Sequence, residues 1–82
     1  MTDEKQWVVY LVTCADGTLY TGVTNDLERR IEQHNKGNKG AKYTRTRRPV
    51  TLFKSFVMPD KSSALKEEYR IKQLSRDEKL KL

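Results

Sequence analysis

Cysteine occurs once in this chain, at Cys14, and histidine once, at His34. A lone cysteine excludes an internal disulfide and any cysteine-based zinc cluster. A lone histidine excludes the HExxH and Cys/His ligand sets. No apolar run approaches the roughly 20 residues of a membrane-spanning helix. Internal repeats, low-complexity tracts and linker-like stretches are also missing, so the 82 residues predict one small domain with a thin core. Met1 to Gln6 is polar with mixed charge, unlike a signal peptide. The expectation is a soluble, cytoplasmic monomer without membrane contact. Cys14 falls near the end of an apolar stretch, where a buried, inert thiol is the simpler reading than a nucleophile.

Acidic residues are absent from one further place. Between Asn35 and Pro49 lie Lys36, Lys39, Lys42, Arg45, Arg47 and Arg48 with no Asp or Glu, and these six equal the whole formal charge of +6. A basic patch on an otherwise balanced body is the footprint of a polyanion, nucleic acid first. Tyr43 is the patch's only aromatic. It suits stacking on an exposed base while the cations hold phosphates. The plain alternatives are a solvated loop that aids solubility and a tyrosine that pins it to the body.

What is present organises around Trp7 to Val23. Apolar, β-favouring residues from Trp7 to Thr13 lead into Ala15-Asp16-Gly17, and a second strand-like run follows from Thr18 to Val23. Asp-Gly between two such runs predicts a hairpin, because Gly17 tolerates the positive φ of a tight turn. The first strand is apolar on both faces from Val8 to Val12 and is expected in the middle of the sheet, covered on both sides. Each arm carries a tyrosine, Tyr10 and Tyr20, and Gly22 in the second arm predicts a bulge or a close approach by another group.

Asn25 or Asp26 can cap a helix running from Leu27 to His34 or Asn35, with Gly37 as its expected end. Leu27, Ile31 and His34 fall at i, i+4 and i+7, with Arg30 in the same stripe, while Glu28, Arg29, Glu32 and Gln33 take the outer face. An arginine and a histidine therefore face the sheet, where an unpaired charge is costly. Arg30 by itself reads as a snorkelling side chain or a partner of Glu68, and His34 as a satisfied histidine near the helix C-terminus. Together on one face they ask for another explanation. Val50 to Met58 predicts a third strand with Leu52, Phe53, Phe56 and Val57 in apolar contact. Asp60 caps a last long helix from Lys61 to Leu74, whose face is Ala64, Leu65, Ile71 and Leu74. Glu67 and Glu68 both border that face, and periodicity does not choose between them. Ser75 to Leu82 reads as a short helical turn or tail. The fold class is α+β: a small three-stranded antiparallel sheet flanked by helices, in the order β-β-α-β-α.

Val8-Val9-Tyr10, Tyr20-Thr21-Gly22, Arg30 ten residues after Tyr20, His34 one turn on, and Ala64-Leu65-Lys66-Glu67-Glu68 form a set. That set resembles the GIY-YIG nuclease superfamily over nearly the whole chain. It is most similar to the small stand-alone bacterial members, whose basic loop reads like Gly40-Ala41-Lys42-Tyr43-Thr44. Val8-Val9 replaces Gly-Ile and Thr21 replaces Ile in the two triplets, while both tyrosines and Gly22 remain. The resemblance implies a catalytic set of Tyr10, Tyr20, Arg30, His34 and Glu68. It also implies one divalent metal, Mg²⁺ or Mn²⁺, on Glu68.

The implied activity is a metal-dependent endonuclease on DNA, structure-specific and linked to repair or recombination. DNA is favoured over RNA, with a protein partner for targeting. In that chemistry Tyr10 draws a proton from water, aided by a cation that lowers its pKa; Arg30 supplies that cation and grips the phosphate. Tyr20 and His34 contact the phosphate or relay protons. Lys36, Lys39, Lys42, Tyr43, Arg45, Arg47 and Arg48 would bind nucleic acid without reading sequence. The alternative from another class is a non-catalytic nucleic-acid-binding module with the same fold. A structural adaptor that docks an acidic protein through residues 36–48 is a third reading.

Overall fold

The computed structural model describes residues 6–36, 44 and 46–82. The expected helix end at Gly37 and the basic-segment residues Lys39, Lys42, Tyr43 and Arg45 lie outside the described residues. Strand β1 (Trp7–Thr13) is the centre of a three-stranded antiparallel sheet, between β2 (Leu19–Thr24) and β3 (Thr51–Met58). Helix α1 (Leu27–Asn35) follows β2, and α2 (Lys61–Lys72) and a short α3 (Arg76–Leu80) follow β3. The β-β-α-β-α order and the central position of β1 agree with the sequence reading. No helix among the described residues is long and apolar enough to cross a membrane.

The hairpin turn forms as its chemistry predicts. Gly17 takes φ 85°, and the Thr18 carbonyl accepts from the Cys14 amide at 2.8 Å. Asp16 Oδ1 accepts from both the Thr18 amide (3.1 Å) and the Thr18 hydroxyl (2.6 Å). Thr18 therefore belongs to the turn, and β2 begins one residue later than expected.

Register decides what each face carries, since directly opposed residues share a side. Tyr10 stands opposite Gly22 and Val12 opposite Tyr20. With Cys14 and Val50 they form one core layer, against which Leu27 and Ile31 of α1 pack. Val9 and Leu11 point the other way, onto Ala64 and Ile71 of α2, with Trp7, Val23, Phe53, Phe56 and Met58 around them. Each of the fully buried Val, Leu and Ile side chains contributes about 1.5–3 kcal/mol over exposure. Among the described residues, the sheet thus lies between the two long helices, α1 and α2.

Both long helices are capped by the expected aspartates: Asp26 Oδ1 accepts from the Arg29 amide at 3.4 Å and Asp60 Oδ1 from the Ser63 amide at 2.7 Å. Helix α1 closes at Lys36, an extended residue whose N–H reaches Glu32 O at 2.8 Å. Several boundaries and faces differ from the sequence reading. Val50 lies outside β3 because the Asn35 side chain takes both its backbone groups, accepting from its N–H at 2.7 Å and donating to its C=O at 3.0 Å. Helix α2 ends at Lys72, where Gln73 and Leu74 turn back to carbonyls three residues earlier. Ser75 and Glu78 then form a reciprocal capping box that starts α3.

Leu52 and Val57, expected in apolar contact, are 46% and 60% exposed. A bulge opposite Leu11 and Val12 skips Phe53, so Phe53 and Phe56 both serve the α2 side. Leu52 opposes Val12 on the α1 side, beside a groove of about 750 Å³ that it shares with Leu27 and Ile31. Leu65 is 46% exposed as well, because Ala64, Glu68 and Ile71 line up at i, i+4 and i+7 and rotate it off the sheet.

Candidate active site

Tyr10 reaches the site from the most buried strand. Its ring extends over Gly22, where a β-carbon would stand only 2.5 Å from the phenol oxygen. The glycine expected to allow a close approach therefore does so, and the group approaching is Tyr10 itself. On the α1 side, Tyr10 Oη lies 2.7 Å from His34 Nε2 and accepts from Arg30 Nε at 3.4 Å. The stripe predicted on α1 thus delivers both polar side chains to one oxygen. Tyr20, two residues before Gly22, sets its ring edge against His34 with centroids 5.4 Å apart and planes at 66°.

His34 is fully buried, so both ring nitrogens need partners. Nε2 has Tyr10, and Nδ1 lies 2.7 Å from Thr44 Oγ1. Thr44 is fully buried too, and Arg48 Nε donates to the His34 carbonyl at 2.7 Å. In the sequence Thr44 appears only as a member of the basic-loop motif, with no role of its own. The signal available was the rule that a buried imidazole is satisfied at both ends, which demands a second partner but does not name it. Gln33, assigned to the outer face, is half-buried and accepts from an Arg30 guanidinium nitrogen at 3.0 Å. It holds the arginine fork in place.

The charges follow from this packing. Burial pushes the Tyr10 phenol above its usual value, Arg30 pulls the other way, and Tyr20 and Glu68 add to the rise. Arg30 acts in the expected direction, but burial outweighs it. His34 is lowered to about 4, by burial first and then by the Arg30 and Arg48 charges. The resting site is therefore a neutral phenol against a neutral imidazole at physiological pH. Cys14, as expected, is buried, and burial raises its thiol.

Structure separates the two candidate carboxylates. Glu67 is taken by Arg70 through two hydrogen bonds of 2.9 and 2.6 Å. Glu68 sits on the sheet-facing line of α2 with 19% of its side chain exposed. Lys72 pairs with it at 3.2 Å. No group of three or more His, Cys, Asp or Glu that could hold a metal occurs among the described residues. A lone carboxylate suits Mg²⁺ or Mn²⁺, which keep water and phosphate oxygens as their other ligands, and does not suit a closed zinc site. Glu68 therefore fits the single-metal expectation.

The described part of the basic segment divides in two. Lys36 is exposed and pairs loosely with Glu32 at 3.5 Å. Arg47 donates to Asp16 Oδ2 at 2.9 Å, and its carbonyl accepts from the Ala15 amide at 2.9 Å, which ties the segment to the hairpin turn. Arg47 and Arg48 are thus both engaged with other residues of the chain and half-buried. Thr21, the residue between Tyr20 and Gly22, is buried against the α2 side, and its hydroxyl has no hydrogen-bond partner among the described residues.

Comparison with known proteins identifies the family. The GIY-YIG catalytic domain model matches residues 6–81. The UPF0213 protein DP2720 of Desulfotalea psychrophila is 58% identical over 74 residues, covering 90% of this chain and 67% of that one. The UPF0213 protein VNG_2274C of Halobacterium salinarum is 56% identical over 71 residues, covering 87% and 91%. The solution NMR structure of EF2693 from E. faecalis superposes with a TM-score of 0.66 at 40% identity, covering 99% of this chain and 85% of that one. The chain belongs to the GIY-YIG family, among the small proteins of the UPF0213 group.

Proposed function

We propose that the protein is a metal-dependent endonuclease that hydrolyses phosphodiester bonds in DNA, acting on branched, nicked or flapped forms during repair or recombination. The observation that carries this reading is the Tyr10 oxygen, held between His34 Nε2 at 2.7 Å and Arg30 Nε at 3.4 Å. A water that attacks phosphorus has to lose a proton. A buried phenol is a poor base alone, because its own ionisation is opposed. The hydrogen-bond chain offers a route through it: Tyr10 takes the proton from water as its own passes to His34 Nε2. The Nδ1–H of His34 meanwhile stays on Thr44.

Arg30 links this relay to the substrate. Its planar fork suits the scissile phosphate and the added charge of the pentacoordinate transition state. Its positive charge is also one of the two that depress His34. A phosphate bound at Arg30 offsets that charge, so His34 gains basicity when the substrate is in place. Tyr20 holds the imidazole from the side. The P–O bond opposite the water then breaks, and the leaving oxygen takes a proton from solvent. Glu68 would hold the divalent ion, whose chemistry when bound is to polarise the phosphate and ease departure of the leaving oxygen.

The second reading, a nucleic-acid-binding module without turnover, draws on Lys72, whose ammonium already occupies Glu68 at 3.2 Å. The two readings part at one oxygen. Tyr10→Phe keeps the ring and removes the relay, so the nuclease reading expects cleavage to be lost while strand binding persists. Cleavage by Tyr10→Phe at the wild-type rate would overturn the relay.

A further inference from the structure

A second concavity, of about 330 Å³, adjoins the catalytic constellation at the junction of β1, β2 and the start of α1. Trp7, Asn25, Arg29, Arg30 and Gln33 contribute to its wall. Small-ligand pockets run from about 300 to 1,000 Å³, so this one suits a single nucleobase with part of its sugar rather than anything larger. Arg30 is a shared wall: it lines this depression, while its Nε donates to Tyr10 at 3.4 Å. Whatever occupies the depression lies next to the group that would hold the scissile phosphate.

The wall has the chemistry of a base site. Trp7 is half-buried and supplies an indole, and the Lys61 ammonium stands 5.4 Å from its ring centroid. Asp26 already caps α1 through its own side chain, which leaves Asn25 free of that task. The Asn25 amide, the Arg29 guanidinium and the Gln33 NH₂ make no hydrogen bond among the described residues. A side-chain amide with donor and acceptor side by side matches the edge of a base that presents both, adenine above all. An indole offers a face or edge to any base, and a free guanidinium suits the adjoining phosphate.

We infer that this depression receives an unpaired nucleobase of the nucleic-acid substrate, next to the scissile phosphate, with Trp7 as its aromatic wall and Asn25 as its polar contact. The inference rests on the nuclease reading for its substrate. It adds that strands with an unpaired or displaced base at the cleavage point are preferred over continuous duplex, because a paired base stays in its stack.

Trp7 is the only tryptophan, so one indole resonance reports on the site. The experiment titrates the full chain with adenosine 5′-monophosphate and, separately, with ribose 5-phosphate, following the Trp7 indole and Asn25 amide signals by NMR. The nucleotide should shift both signals saturably, the sugar phosphate should not, and Asn25→Ala should weaken nucleotide binding about tenfold. Asn25 is exposed and does not cap, so this variant keeps its fold. Equal shifts from both ligands, or none from either, overturn the base site. Either result leaves the nuclease reading intact, because cleavage by wild type is measured separately.

Discussion

Gly22 stands directly opposite Tyr10 across the β1–β2 pair, and a β-carbon there would lie 2.5 Å from the Tyr10 oxygen. One residue thus sets the position of the phenol on which the proposed chemistry depends. Gly22→Ala must push the ring away from His34 and Arg30, since the near neighbour is a ring held in a core and cannot simply rotate clear. The expected result is a fall in turnover of about 10²-fold with strand binding retained. Circular dichroism should still show the fold, and the comparison of turnover with binding checks the outcome.

Thr44 controls the far end of the imidazole. Thr44→Val keeps the shape and removes the hydroxyl 2.7 Å from His34 Nδ1. A buried nitrogen left unsatisfied costs about 1–3 kcal/mol. The variant should lose that stability and also redistribute the His34 tautomers, visible in the ¹⁵N shifts of the ring. Turnover should drop while KM stays near wild type. Thr44→Ser should restore both readouts, which a packing role alone would not require.

His34 also predicts a pH dependence of stability. Its folded pKa is depressed to about 4 from 6.5, so the unfolded chain binds the proton first as pH falls. Stability is therefore complete above about pH 6.5 and declines as pH drops toward 4, by on the order of 3 kcal/mol. Asp16, Asp60 and Glu67, lowered by hydrogen bonds in the folded state, lose their contributions in a more acidic window. Urea unfolding at about pH 7 and about pH 5 separates the two effects. His34→Gln should be less stable near neutrality yet show a much smaller change between those conditions.

Thr21 carries a buried hydroxyl without a partner among the described residues, opposite Leu11 on the α2 side. Thr21→Val keeps the branched shape and removes the orphan. Stability should rise by about 1 kcal/mol. Thermal unfolding should then shift up by about 4–8 °C for a domain of this size.

The parts of this architecture legible in the sequence were those governed by local rules. Asp16-Gly17 announced its turn, Asp26 and Asp60 their helices, and the unbroken apolar run from Val8 to Val12 the central strand. Periodicity brought Arg30 and His34 to one face of α1. What stayed hidden depends on contacts distant in the chain. Asn35 removes Val50 from β3, and a bulge sends Phe53 to the face of Phe56, which alternation alone assigns to opposite sides. The helical wheel left Glu67 and Glu68 level; their side-chain partners, Arg70 for Glu67 and Lys72 for Glu68, separate them. Thr44 was invisible because nothing local marks a threonine as the second partner of a buried histidine ten residues earlier.

The proposed nuclease is tested by setting wild type beside Glu68→Ala on labelled single-stranded, duplex, flap and four-way DNAs, with Mg²⁺ or Mn²⁺ and with chelator. Metal-dependent cutting by wild type should disappear in chelator and in Glu68→Ala, while salt-sensitive DNA binding stays the same in both proteins. No cutting of any substrate, with equal binding by both, would contradict the nuclease reading and leave a binding module in its place.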